Sequence, residues 1–149
     1  MKICLVSSCG GHLSELRSLK PVYDRHVHFY VINDRITLPP DMRGRTYFIR
    51  HSERDWLFLV NLWEAWCILR RERPAIIVST GAGLIVPFTL VAKLFGIPTV
   101  FIEAATQVAD PSLSGRIMYW LADRFFYQWK ALEHHFPKAT YGGPIQWSS

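Results

Sequence analysis

Short apolar runs alternate along this chain with stretches whose apolar residues recur every three or four positions. The runs at 3–7, 27–33, 46–50, 75–79, 99–103 and 124–128 predict strands. Helical patterns lie between most of them, beginning with Leu13, Leu16 and Leu19. Strands alternating with helices imply βαβ units, and hence an α/β fold with a Rossmann-like, doubly wound, mostly parallel sheet. The runs 75–79 and 99–103 are almost wholly apolar, as expected of central strands covered on both faces. Residues 34–45, with Pro39, Pro40 and Gly44, read as a loop. No repeat and no low-complexity segment breaks the 149 residues, a length that suits one domain.

Ligands of such sheets sit beyond the carboxyl ends of the strands, and three segments fall there. The first, Ser8-Cys9-Gly10-Gly11-His12, joins a strand to a helix start. Its glycines allow close backbone approach, and the free N–H groups of the helix start favour an anion. His12 is placed to reach that anion or a reacting hydroxyl. The alternative is a plain turn, since the three-glycine dinucleotide fingerprint is missing. The second segment is Ser79-Thr80-Gly81-Ala82-Gly83, opening a helix with Pro87 in or near its first turn. The third runs from Glu103 through Thr106 and Gln107 to Asp110. Glu103 ends an apolar strand, so its carboxylate is expected to emerge at the crevice as a base or hydroxyl ligand. The alternative is a carboxylate that caps the following backbone. His134 and His135 fit a helix end, His51 carries no pattern, and His26 and His28 are expected at the surface.

The stretch from Trp56 to Leu69 is apolar nearly all round. Asn61, Glu64 and Arg71 share a narrow polar stripe. Trp56, Val60, Trp63 and Cys67 form one apolar face, and Phe58, Leu62, Ala65 and Leu69 another. One face docks on a sheet, and the second needs cover from lipid, a partner or more core. At 1.5 Å per residue the segment spans roughly 20 Å, too short for a bilayer core. Trp56, Trp63 and Trp66, followed by Arg70, Arg71 and Arg73, suit an interfacial position on an anionic leaflet. The apolar stretch 84–102 is broken by Pro87, Lys93, Gly96 and Pro98 and reads as helix, turn and strand, not a membrane span. No signal peptide is expected.

Half of the residues are hydrophobic and the net charge is +5, with a pI near 9.3. That balance favours anionic partners. The arginines are scattered, which argues against a dedicated nucleic-acid binder. Cys4, Cys9 and Cys67 have neither zinc-ligand spacing nor a disulfide framework. Cys4 reads as strand core and Cys67 as helix core. Cys9 is either a reactive thiol at a helix start or a small turn residue. The picture is a reduced cytoplasmic protein, with no metal and no cofactor expected.

Taken in order, Ser8-Cys9-Gly10-Gly11-His12 with Leu13 and Leu16, Ser79-Thr80-Gly81-Ala82-Gly83, Phe101-Ile102-Glu103, Gly115-Arg116 and Tyr141-Gly142-Gly143-Pro144 resemble one family. It is the PssD-type acceptor-side subunit of split GT-B glycosyltransferases of bacterial exopolysaccharide and capsule synthesis. That family is similar to the membrane-recruiting subunit of the dolichol-pathway N-acetylglucosaminyltransferase and to the N-terminal half of MurG. The resemblance implies one half of a GT-B fold that binds a polyprenyl-diphosphate-linked saccharide. A separate partner chain would hold the UDP-sugar, and activity without it would be weak or absent. His12 and Glu103 would be catalytic. Cys9, Gly10, Gly11, Thr80, Gly81, Gly83, Thr106 and Gln107 would line the acceptor and its phosphates. Trp56, Trp63, Trp66, Arg70 and Arg71 would touch the inner face of the cytoplasmic membrane, since no N-terminal membrane helix is read. The alternative function is a stand-alone nucleotide- or phosphosugar-binding domain without transferase chemistry.

Overall fold

The protein is described by a computed structural model over residues 1–33, 36–50 and 56–145. Part of the expected loop at 34–45, and His51, therefore lie outside the described residues. Seven strands form one sheet: β1 (Lys2–Ser7), β2 (Val27–Ile32), β3 (Thr46–Phe48), β4 (Ile76–Ser79), β5 (Thr99–Ile102), β6 (Arg124–Tyr127) and β7 (Thr140–Tyr141). Their order is β3-β2-β1-β4-β5-β6-β7, and each adjacent pair is parallel. This is the Rossmann-like doubly wound arrangement, with the strand order reversing between β1 and β4. The six expected strands are all present. The seventh, β7, is too short to leave a periodic signal and exists through its pairing with Phe126 and Tyr127.

Strand alternation divides the core between the two faces of the sheet. Cys4 and Val6 of β1 join Phe29, Val31, Ile77 and Phe101 beneath α3 (Leu57–Glu72), α4 (Ile85–Phe95) and α5 (Leu113–Leu121). Ile3 and Leu5 join Tyr30 and Ile32 beneath α1 (Gly11–Ser18) and α2 (Lys20–Tyr23). Burial pushes the Cys4 thiol well above its ordinary range, so it behaves as a small core hydrophobe.

Helix α3 docks differently from the expectation. Its buried positions are Asn61, Ala65, Ile68 and Leu69. The polar stripe thus begins on the docked side: Asn61 Nδ2 donates to the Arg50 carbonyl and to Glu64 Oε2, both at 2.9 Å. The amide's N–H groups tie down the chain after β3, while its Oδ1 is buried with no partner among the described residues. The Trp56, Trp63 and Cys67 face is left outward, so Cys67 is exposed rather than core. Trp66 is half-buried against Phe95, with ring centroids 4.8 Å apart. His28 is also corrected, from surface to buried, because it sits inside the β1–β2 pairing with its ring against Tyr23 and Tyr30. α3 ends where Arg73 turns left-handed (φ 46°) and Pro74 follows. α4 ends at Gly96 (φ 68°), where glycine meets the turn without strain.

Two outcomes are expected from this core. Phe88, on the inner face of α4, is fully buried, and Phe88→Ala should cost about 3–5 kcal/mol in chemical denaturation. Glu72 accepts from Lys2 Nζ at 2.8 Å and from the Tyr47 hydroxyl, and these contacts hold its carboxyl below the usual range. A carboxylate lowered by folding stabilises the protein above its unfolded pKa and loses that contribution as pH falls through the folded value. Glu72→Gln should therefore be destabilising at neutral pH. Its deficit against wild type should shrink through the acid range in urea melts run at a series of pH values.

Candidate functional site

The strand-order reversal brings the loops after β1 and β4 side by side. Gly10 (φ 90°) precedes α1, and among the described residues no side chain caps the N–H groups of this helix start. Among the described residues, a Cβ at Gly10 or Gly11 would meet nothing within 4 Å, so the turn is open on that side. Cys9 lies just before it, and its backbone N–H donates to Asn33 Oδ1 at 3.1 Å, fixing the turn to the end of β2.

His12 is held by a reciprocal pair of bonds to the loop after β4. Its Nδ1 lies 3.2 Å from the Thr80 carbonyl, and Thr80 Oγ1 donates to the His12 carbonyl at 2.8 Å. A carbonyl only accepts, so Nδ1 carries the hydrogen and, in the neutral ring, Nε2 keeps its lone pair. The ring lies against Gly81 (φ 135°), where a Cβ would come within 2.6 Å of it. This close approach explains the glycine after Thr80. It also corrects the reading of Thr80: the side chain is buried and its hydroxyl is engaged with the scaffold. Gly83 is exposed with open space beside it.

Glu103 does not emerge at the crevice. It is fully buried, because its carboxylate folds back onto the start of α5. Oε1 accepts from Ala104 N at 3.0 Å and from Ser112 Oγ at 2.7 Å, and Oε2 accepts from Ser112 N at 3.2 Å. Ser112 in turn caps α5 by accepting from Gly115 N at 2.8 Å. A Cβ at Gly115 would fall 1.8 Å from Glu103 Oε2, so only glycine fits. The capping alternative describes this carboxylate. Thr106 is exposed and Gln107 half-buried on the loop that Glu103 begins.

The residues that hold this loop were not found in the sequence. Glu15, one helical turn after His12, is buried, and its Oε1 accepts from Ala105 N at 3.0 Å and from Gln128 Nε2. Burial raises its pKa, with smaller opposing contributions from those two hydrogen bonds. Gln128 Nε2 also donates to the Glu103 carbonyl at 2.9 Å, and its Oε1 accepts from Ile145 N at 2.8 Å. Trp129 Nε1 donates to the Ala105 carbonyl at 2.7 Å. The available signal was Glu15 standing on the same helical face as His12 between Leu13 and Leu16. Gln128 likewise follows directly on an apolar strand.

The structure thus brings together Cys9, Gly10, Gly11, His12, Thr80, Gly81 and Gly83 at the β1–β4 crevice. The Thr106–Gln107 loop is tied to it through Glu15. Trp56, Trp63, Trp66, Arg70 and Arg71 lie apart on α3. Among the exposed positions of α3, α4 and α5 stand Leu59, Trp63, Leu94, Leu113 and Trp120, with Arg70, Lys93 and Arg116 between them and no Asp or Glu. Among the described residues no helix is long and apolar enough to cross a membrane.

Several known proteins are similar to this chain. The profile of the family described as "Oligosaccharide biosynthesis protein Alg14 like" matches residues 51–145. The human UDP-N-acetylglucosamine transferase subunit ALG14 is 29% identical, with 97% of this chain and 83% of that protein covered. The mouse protein of the same name is 32% identical over the same shares. A shorter match, 40% identical over 38% of this chain and 15% of the relative, joins it to the UDP-N-acetylglucosamine--N-acetylmuramyl-(pentapeptide) pyrophosphoryl-undecaprenol N-acetylglucosamine transferase of Desulfitobacterium hafniense. Among solved structures, Acinetobacter baumannii MurG superposes with a TM-score of 0.73 at 15% identity, covering 97% of this chain and 45% of MurG. The Methanocaldococcus jannaschii UDP-GlcNAc 2-epimerase gives 0.74 at 13% identity, covering 93% and 43%. The chain therefore spans less than half the length of these solved structures, and at such identity they speak to the fold alone: a Rossmann-like half of the two-domain architecture. The profile match over most of the chain, together with the mouse relative, shows that this chain belongs to the Alg14-like family of oligosaccharide biosynthesis proteins.

Proposed function

We propose that this chain is the acceptor-side subunit of a two-chain, PssD-type glycosyltransferase of bacterial polysaccharide synthesis. A separate chain would hold the UDP-sugar, and the acceptor would be a polyprenyl-diphosphate-linked saccharide. The relatives carry the word subunit in their names, and the fold supplies one half of a two-domain frame. The observation that carries the reading is His12, oriented by the Thr80 carbonyl so that Nε2 is the basic nitrogen beside an open glycine turn.

In this reading the acceptor hydroxyl attacks the anomeric carbon of the UDP-sugar. The new C–O bond forms as the bond from that carbon to the diphosphate breaks, His12 Nε2 takes the hydroxyl proton, and UDP leaves with the bond electrons. The uncapped N–H groups around Gly10 and Gly11, with the open backbone at Gly83, suit the acceptor diphosphate. Cys9 shapes the turn through its backbone, and Thr106 and Gln107 offer polar contacts to the sugar. Glu103 acts as a positioning residue for that loop and not as the base.

The same reading gives the exposed faces of α3, α4 and α5 to the cytoplasmic leaflet. Trp56 (65% exposed), Trp63 (67%) and Trp120 (77%) present large apolar surface, and among the described residues the exposed positions of α3, α4 and α5 carry cations and no carboxylate. That pairing suits an anionic interface, where indole rings settle at headgroup level.

Two experiments test these claims. Membranes containing this chain, its neighbouring gene product, or both would be supplied with a panel of UDP-sugars and lipid-linked acceptor. Transfer should require both chains. His12→Ala should lower it by roughly 10²–10⁴-fold while the complex still forms, and Gly81→Ala should mimic that loss by displacing the ring. Full transfer by the neighbour alone, or an unaffected His12→Ala complex, overturns the catalytic reading. Separately, the protein should sediment with phosphatidylglycerol vesicles, and Trp63→Ser with Trp120→Ser should weaken this by roughly tenfold or more. Equal sedimentation of the double variant removes the membrane assignment from this face.

A further inference from the structure

On the opposite rim of the sheet, where the strands begin, lies a groove of about 590 Å³ that the transfer reading does not use. Two turns form it. One carries Arg25 and His26 ahead of β2, and the other carries Arg43, Gly44 and Arg45 ahead of β3. The strands are six residues long at β1 and β2, so this rim stands roughly 20 Å from the His12 crevice.

Both turns are fixed by the backbone. His26 N donates to the Tyr23 carbonyl at 2.9 Å, Arg45 N to the Met42 carbonyl at 3.3 Å, and Tyr30 N to the Arg45 carbonyl at 2.8 Å. The buried His28 links them. Its Nδ1 lies 2.8 Å from the His26 carbonyl, which only accepts, so Nδ1 bears the hydrogen. Nε2 is then the acceptor for Arg45 Nη1 at 3.3 Å. His28 thereby steers the Arg45 guanidinium without neutralising its charge.

The charge of the groove is uncompensated. Among the described residues, the ion pairs involve Lys2 with Glu72 and Arg17 and Lys20 with Asp41, and none includes Arg25, Arg43 or Arg45. An adjoining groove of about 420 Å³ shares Val27, His28, Gly44 and Arg45 and extends to Lys2 and Arg71. Among the described residues, the one carboxylate lining either groove is Glu72, already engaged by Lys2 and Tyr47. Arg43 Nε donates to the Leu38 carbonyl at 3.3 Å, and guanidinium groups gathered on fixed turns offer planar, paired donors that match a phosphate's oxygens. Gly44 (φ 74°) leaves the floor open, since a Cβ there would meet nothing within 4 Å.

We propose that this groove, built by Arg25, Arg43 and Arg45 around His28, is a second anion site that takes a phosphate group. The phosphate comes either from a free phosphorylated compound or from a phospholipid headgroup. The proposal stands independently of the His12 chemistry.

Two arms distinguish the sources. Isothermal titration with inorganic pyrophosphate reads the free ligand. Sedimentation with vesicles containing phosphatidic acid, against vesicles of equal surface charge containing oleate, reads a lipid phosphate apart from charge alone. In one arm or the other the wild type should bind saturably or prefer phosphate over carboxylate. Arg43→Gln with Arg45→Gln should weaken that binding by roughly tenfold or more. Lys138→Gln, at an exposed position away from both surfaces, should leave pyrophosphate binding, and the preference for phosphatidic acid over oleate, unchanged. Because Arg45→Gln also removes the contact to His28, Gly44→Asp provides an independent test. Asp tolerates the left-handed backbone, keeps both arginines and puts a carboxylate into the groove, so it should abolish binding while thermal unfolding stays two-state. Pyrophosphate binding lost in both variants assigns a soluble ligand, and a lost phosphatidic acid preference assigns the headgroup. Binding that is absent in both arms, or indifferent to these substitutions, overturns the site.

Discussion

The reciprocal bonding of His12 and Thr80 is the constraint on which the crevice depends. It joins the first helix to the loop after β4 across the point where the strand order reverses. One bond orients the imidazole, and its mate fixes the backbone that carries it. Gly81 completes the clasp because any side chain there would occupy the space of the ring. Parallel strands alone would bring the two loops near each other. The clasp turns that proximity into a defined ring orientation and a defined tautomer, which a glycine turn by itself does not provide.

Much of this architecture was legible in the sequence, for an identifiable reason. The apolar runs are short, bounded by glycine, proline or polar residues, and separated by helical periodicity, so strand existence and parallel topology followed. The crevice also followed, because His12 and the two glycine turns occupy the carboxyl ends of neighbouring strands. Glu103 shows where that reasoning stops. Its position at a strand end was read correctly, yet the direction of its side chain depends on Ser112 and Gly115, nine and twelve positions later, whose approach no local pattern announces. Asn61 makes the same point on α3. A lone amide in an apolar helix reads as the wet side until one sees Arg50 offering its carbonyl. Thr140 and Tyr141 form a strand only because β6 has an edge to pair with.

The distribution of charge follows a similar logic. Cations on the α3, α4 and α5 layer stand among exposed indoles and leucines, whereas those at the beginnings of β2 and β3 line a polar groove. Net charge alone did not separate these surfaces. A scattered set of arginines in sequence becomes two different environments once the sheet places them on a face or on a rim. The apolar neighbours of the first and the hydrogen-bonded turns of the second give the same side chain different work.

The chain of contacts from Ile145 through Gln128 and Glu15 to Ala105 has an entropic consequence. Loops at the mouth of an α/β crevice commonly fall still only when a ligand arrives, and ordering their side chains then subtracts from affinity. Here the loop after β5 is pinned at Ala105 by a buried carboxylate on one side and an indole on the other. That conformational freedom is surrendered when the chain folds, with the hydrophobic core offsetting the loss. The cost of immobilising the crevice has thus been moved from the moment of recognition to the moment of folding, leaving a ligand to meet a surface already at rest.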